Sequence, residues 1–327
     1  MEKETKPEDV LKDKLLGMFI GGFIGDALGA PYEFKISKPL SDYRGLIEYE
    51  IKIPRMYHEP AVFAIGSFTD DSQMTLHMIW SIVTKQSYDR NDVIMQYLNF
   101  ANTSSMLGRN TRALLKGIKT LGGYERRVQN KMNPENQSNG PLMRASPLAI
   151  FRDYNIWISD TTITNISDVN KICTIIYVYA LRYAIMGYKK EDILTMAEKL
   201  ANQYNNEDII LAVYQAKNNV IRNVDEKIPG SRRSNKGWVV HALYSAFWAL
   251  YNFEDYRIAI DAVILLGGDT DTNAKIAGDL IGAYYSYSKI INDDITKYNG
   301  NYVFATNANY LQKFTYYVDV LTKLFEY

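Results

Sequence analysis

Two short runs of oxygen-bearing side chains are the chain's strongest chemical signal. Thr69-Asp70-Asp71-Ser72 follows Gly66-Ser67-Phe68, and Asp269-Thr270-Asp271-Thr272 follows Gly267-Gly268. Each run stands at the head of an amphipathic stretch. Adjacent residues inside a helix diverge by ~100° and cannot meet at one point; in the irregular turn that enters a helix they can. Helix capping is the plainer alternative, because Thr, Asp and Ser are favoured caps and acids in a first turn complement the helix dipole. A cap, however, needs one short oxygen side chain, and these runs offer four carboxylates with several hydroxyls. Brought together, four carboxylates repel unless cations neutralise them. All are hard oxygen donors without a His or Cys among them, which suits Mg2+ or Mn2+ rather than zinc or copper. Calcium, also a hard cation, stays open as an alternative, although the sequence has no EF-hand loop with its glycine and terminal glutamate. The two runs therefore predict a binuclear Mg2+-type site in preference to a pair of caps.

A third run, Asn139-Gly140-Pro141-Leu142-Met143-Arg144, reads as a loop-to-helix junction with Pro141 at a first helical position. Such a junction offers N–H groups to an anion such as a phosphate; taken alone it is equally an ordinary turn. The remaining reactive types read as structural. Cys173 has no partner base and reads as a buried thiol, and as the single cysteine it excludes an internal disulfide. His77 and His241 sit among large apolar groups, while His58 and the basic trio Arg232, Arg233 and Lys236 read as solvated loop residues.

Stepping out to the elements, apolar spacing predicts helices over about 14–29, 72–85, 91–101, 141–152, 169–186, 190–203, 207–222, 237–252, 256–266, 272–288 and 309–325. Residues 49–56 form the one candidate strand, limited to an edge by Pro54. Residues 1–13 read as a flexible tail, and 34–66 and 120–140 as long loops of the kind that serve as lids. Gly17, Gly21, Gly25 and Gly29 line one ridge of the first helix. Each costs ~1 kcal/mol relative to alanine, so a neighbouring backbone must approach closely there. GGFIGDALG is not a dinucleotide fingerprint, and no G-K-S/T follows it. The expectation is one all-α domain over 14–327.

Composition agrees with a globular protein: 327 residues, 47% hydrophobic and 23% charged, with 37 basic against 37 acidic side chains. That balance excludes a polybasic nucleic-acid coat or an acidic tail as the main function. The charged N-terminus is unlike a signal peptide, and the apolar run 15–25 is about half a membrane span. A soluble, cytoplasmic protein is expected, with neither nucleic-acid nor membrane binding.

The motifs together resemble the ADP-ribosylglycohydrolase family, from about Leu15 to Tyr285: GMFIGGFIGDALGAPYEF, GSFTDDSQM, NGPLMRASPLAI and LGGDTDTNAKIAGDLIGAYY in that order, with GWVVHALYSAFWAL before the last. The resemblance implies an all-α fold, a single compact multi-helix orthogonal bundle with a binuclear site of two Mg2+ or Mn2+ ions at its centre, ligated by Thr69, Asp70, Asp71, Asp269, Asp271 and Thr272. It implies that Glu33 lies near the metals and the scissile bond, that the loop up to Ser67 is a flap, and that Asn139, Gly140, Pro141, Leu142 and Met143 hold the ADP part of the ligand. Glu33, Asp70 and Asp71 are the candidates for the general base, and the sequence does not choose among them. The implied activity is hydrolysis of the N- or O-glycosidic bond between ADP-ribose and a side chain of an ADP-ribosylated protein or peptide, releasing ADP-ribose. The alternative is an ADP-ribose-binding protein of the same fold with little or no turnover. Asp26 reads as mainly structural. In Thr162-Ile163-Thr164-Asn165, Asn165 stands where the family commonly has a histidine near the ligand, so it is the remaining candidate substrate contact. SYSKIINDD after Tyr285 departs from the family pattern, as does Ser72 mildly.

Overall fold

The glycine ridge accounts for the centre of the molecule. In the computed structural model, which describes residues 6–35, 38–53, 61–222, 224 and 236–327, helix α1 (Pro7–Gly29) lies along α13 (Thr270–Tyr285) with their backbones in contact. A methyl group on Gly21 would stand 2.6 Å from the Gly278 carbonyl oxygen, and Gly17, Gly25 and Gly29 face Gly282, Ala274 and Thr270 in the same way. No larger residue fits, which explains four helix-weakening glycines in register.

Around this pair the chain winds as α2 (Asp70–Lys85), α3 (Arg90–Thr103), α4 (Arg109–Leu115), α5 (Leu121–Lys131), α6 (Gly140–Met143), α7 (Tyr154–Thr161) and α8 (Asp168–Ile185). There follow α9 (Lys190–Tyr204), α10 (Glu207–Lys217), α11 (Val239–Asn252), α12 (Tyr256–Leu265), and after α13 the helices α14 (Tyr287–Ile290), α15 (Asp294–Thr306), α16 (Ala308–Leu311) and α17 (Phe314–Leu324). The only sheet among the described residues is an antiparallel hairpin, β1 (Ile51–Ile53) against β2 (Ala61–Phe63), with Ile51 opposite Phe63. The all-α expectation holds. One continuous apolar core runs from α1 to α17, with Phe19 and Phe23 packed on Phe314. By length and composition α1 with the turn after it is also able to cross a membrane, but 94% of its apolar window is buried inside the fold.

Several boundaries differ from expectation for identifiable reasons. The helix begins at Pro7, not near residue 14: Leu11 is buried and Asp13 accepts bonds from Ser288, so 7–13 are not a tail. The predicted helix 141–152 is a single turn, α6, followed by a 3-10 turn over Ser146–Ile150; Pro147 cannot continue an α-helix. Conversely, the polar tract 120–140 contains α5, whose Leu121, Tyr124 and Val128 face inward and whose N-terminus is capped by Thr120 at 3.1 Å. Helices α4, α7 and α15 were not expected from apolar spacing. Pro54, His58, Arg232 and Arg233 lie outside the described residues.

Candidate active site

Asp26, in the last turn of α1, is wholly buried and ties the start of α2 to that helix. Its carboxylate accepts from Thr69 N at 3.0 Å, Thr69 Oγ1 at 2.9 Å, Ser72 N at 3.1 Å and Ser72 Oγ at 2.5 Å. The cap and first turn of α2, which carry Thr69, Asp70 and Asp71, are thereby fixed. Because Thr69 donates its hydroxyl proton to Asp26, the oxygen keeps lone pairs for another partner. Asp70 accepts from Gly108 N at 3.1 Å, at the head of α4. On the other side, Gly268 at φ +76° makes the left-handed turn that delivers Asp269 to α13. Thr270 Oγ1 donates to the Gly29 carbonyl at 2.7 Å, fastening that turn to the end of α1.

The third contributor is Glu33, just beyond α1. Phe34 sits at φ +46°, an uncommon conformation for a side-chain-bearing residue, and its N–H donates to the Gly268 carbonyl at 2.7 Å. This kink holds Glu33 beside the second acidic run.

These pieces converge. Asp26, Asp71 and Asp271 each place a carboxylate oxygen within 4.8 Å of the others', and so do Glu33, Asp269 and Asp271. Burial raises the Glu33 carboxyl well above the ordinary range, and Asp269, Asp70 and Asp26 add to the rise. Asp71 is raised well above that range by burial, then by Asp26, Asp70 and Asp269, with Thr272 opposing the rise. Asp271 follows for the same reasons, with Glu33 and Asp71 as its nearest repulsions. Burial pushes Asp70 up to about 7. Without compensation such a cluster holds protons instead of charge.

The donor set fits divalent cations. Asp71 Oδ2 is buried and meets no hydrogen-bond donor among the described residues, and the side chains clustered with Asp71, those of Asp26 and Asp271, are carboxylates. A hard cation satisfies both the orphaned oxygen and the mutual repulsion.

The predicted ligand loop adjoins this cluster. Asn139 Nδ2 donates to Asp269 Oδ2 at 2.9 Å, linking loop and acids directly. Asn139 and the half-buried Gly140 lie at the edge of the site, whereas Pro141, Leu142 and Met143 turn their side chains into the core. What the last three offer a ligand is therefore backbone, not side chain. With α6 only one turn long, a helix dipole contributes little here. Asn165 differs more. It is fully buried, and its amide Nδ2 donates to Asn136 O at 3.2 Å and Ser138 Oγ at 3.1 Å, within the loop before Asn139.

Two glycines at the site carried no signal in the sequence reading. Gly108 supplies only a backbone N–H to Asp70, and Gly237, at φ +68°, leaves 3.2 Å between a hypothetical Cβ and Asp269 Oδ2. His241 is a core residue as expected, and burial lowers it to about 3. His77, lowered to about 4 by burial, packs against Trp80 and Phe100. Cys173 is buried, and burial pushes its thiol up.

Comparison with known proteins identifies the family and the fold. A profile of the ADP-ribosylglycohydrolase family matches residues 7–310. The chain is 27% identical over 301 residues to the ADP-ribosylarginine hydrolase Tri1 of Pseudomonas putida, covering 86% of this chain and 73% of that protein. It is 21% identical over 284 residues to the ADP-ribosyl-dinitrogen reductase glycohydrolase of Rhodospirillum rubrum, covering 85% and 87%. A solved structure described as an ADP-ribosylglycohydrolase-related protein complex superposes with a TM-score of 0.62 at 22% identity, over 90% of this chain and 99% of that one. The chain belongs to the ADP-ribosylglycohydrolase family, and is a hydrolase of glycosyl bonds.

Proposed function

We propose that this enzyme removes ADP-ribose from modified protein side chains, using a pair of Mg2+ or Mn2+ ions. The observation that supports this reading best is the approach of Asp71 and Asp271 from the two separate acidic runs, with Glu33 and Asp269 gathered beside Asp271. Thr69, Asp70 and Asp71 on one side, and Asp269, Asp271 and Thr272 on the other, would hold the ions. When bound, such ions supply Lewis acidity that orients ribose hydroxyls and acidifies water.

The chain's own groups then have separable parts. Asn139 and the backbone of Gly140 to Met143 hold the ADP portion, so that the distal ribose is carried to the acids. The substrate's anomeric carbon–nitrogen or carbon–oxygen bond breaks as water attacks, through an oxocarbenium-like state that the surrounding carboxylates favour electrostatically. Glu33, placed at the open side of the cluster by the Phe34 kink, takes the proton from the attacking water. It passes that proton to the departing side chain, which leaves neutral if an alcohol and protonated if a guanidine. Similarity to the ADP-ribosylarginine hydrolase Tri1 makes ADP-ribosylarginine the first substrate to try.

The experiment is release of ADP-ribose from ADP-ribosylated peptides, arginine- and serine-linked, with Mg2+ present. Wild type should turn over at least one linkage, and Asp71→Ala and Asp271→Ala should each lose at least ~100-fold. Unchanged turnover in either variant would remove the reading. Tight ADP-ribose binding without product in wild type would point instead to a binding protein.

A further inference from the structure

We infer that Asn165 is a positioning residue: a buried hydrogen-bond hub that sets the shape of the loop 136–139 and so presents Asn139 to Asp269 and to the ligand. The inference rests on the function proposed above and assigns Asn165 a part within that site.

Asn165 follows α7 and is fully buried. Its Oδ1 accepts from Asn110 Nδ2 at 3.2 Å, and its Nδ2 donates to Asn136 O at 3.2 Å and Ser138 Oγ at 3.1 Å. The two ends of a carboxamide are alike in shape, but here the partners decide. The Asn136 carbonyl can only accept, so Nδ2 faces the loop. Asn110 in turn is oriented by its second bond, to Thr164 O at 3.0 Å. Both amide hydrogens of Asn165 are therefore engaged inside the protein, which leaves it no donor for a ligand.

The loop depends on such outside contacts because it has little regular structure of its own. Asn170 Nδ2 donates to Ser138 O at 2.7 Å, Asn139 N donates to Gly237 O at 3.0 Å, and Val239 N donates to Gln137 O at 3.0 Å. At the loop's exit Arg144 Nη1 donates to Gly140 O and Thr164 Oγ1, each at 3.1 Å. The segment 160–165 thus grips the loop at both ends. The Arg144 grip is anchored by a fully buried ion pair to Asp160 at 3.0 Å. Removing the Asn165 amide would leave Asn136 O, Ser138 Oγ and Asn110 Nδ2 without their buried partner, and the loop can recover those bonds only by moving toward water.

A hub, a ligand contact and a core residue predict different results. The test uses the full chain with Asn165→Ala and Ser138→Ala, and reads three things: ADP-ribose affinity by calorimetry, steady-state kinetics, and amide exchange across 133–139. For Asn165→Ala the expectation is affinity weakened about tenfold, with KM raised and kcat within about twofold. Loop amides should exchange faster while α8 and α13 keep their protection. Ser138→Ala should shift affinity and exchange in the same direction by less. A folded Asn165→Ala with wild-type affinity and loop exchange would overturn the inference. So would a fall in kcat with affinity and exchange unchanged, which means a direct part in the chemistry. If Asn165→Ala does not fold, Ser138→Ala and Asn110→Ala carry the test, and wild-type affinity and exchange in both overturn it. Wild type that binds no ADP-ribose sinks the proposed function instead, and loop exchange then decides the hub alone.

Discussion

Asp26 illustrates how a single side chain can be structural and still belong to a site. Wholly buried, it is stabilised by two backbone and two hydroxyl donors at the start of α2. Asp26→Asn keeps the shape but turns an amide NH2 toward one of those donors. It should lower the unfolding free energy by about 2 kcal/mol, read as a lower urea midpoint at unchanged slope. Its structural part was legible in the sequence because it sits inside a helix and not at a helix entry. Gly108 and Gly237 were not legible, since a backbone N–H or a missing Cβ leaves no mark on residue type. Gly237→Ala adds a carbon 3.2 Å from Asp269 Oδ2 at a left-handed φ. It should weaken Mn2+ binding several-fold, measured by titration, and destabilise the fold by ~1–2 kcal/mol. The acids themselves were legible through their types and their position at two helix entries.

At the level of elements, the α1–α13 contact sets the frame on which both acidic runs are mounted. Gly21→Ala must push Gly278 and the Tyr256 ring aside, and should cost at least ~1–3 kcal/mol as overpacking, seen as a fall in melting temperature. Activity lost in that variant should return on cooling below its transition. The four-residue glycine spacing revealed this contact without a structure, because only close backbone approach explains it. Elsewhere the local signal misled. A run of charged and amide residues concealed α5, whose three inward side chains suffice to hold it. The apolar run after Pro141 suggested a long helix, though Pro147 interrupts it. In both cases tertiary packing or one missing N–H outweighed average composition.

Across the whole molecule, burial of the two described histidines, His77 and His241, couples stability to pH. The fold lowers His77 to about 4 and His241 to about 3, whereas an unfolded imidazole titrates near 6.5. Between about pH 6.5 and 4 the unfolded chain therefore binds protons that the native chain does not, and these residues make stability fall as pH falls. His241→Gln should lessen that fall by up to ~1.4 kcal/mol per pH unit relative to wild type, read from urea midpoints across the window. The chemistry of the two acidic runs suggested a shared site, and the family resemblance supported it. Neither could show how Asp71 comes to face Asp271, because their proximity is a property of the packed bundle. The decisive measurement is a calorimetric Mn2+ titration of wild type, Asp71→Asn and Asp271→Asn, each verified as folded. Saturable uptake of two ions by wild type, reduced by either substitution although the two residues lie on different helices, is the expected result. No saturable uptake, or wild-type uptake in either variant, would contradict a shared metal centre.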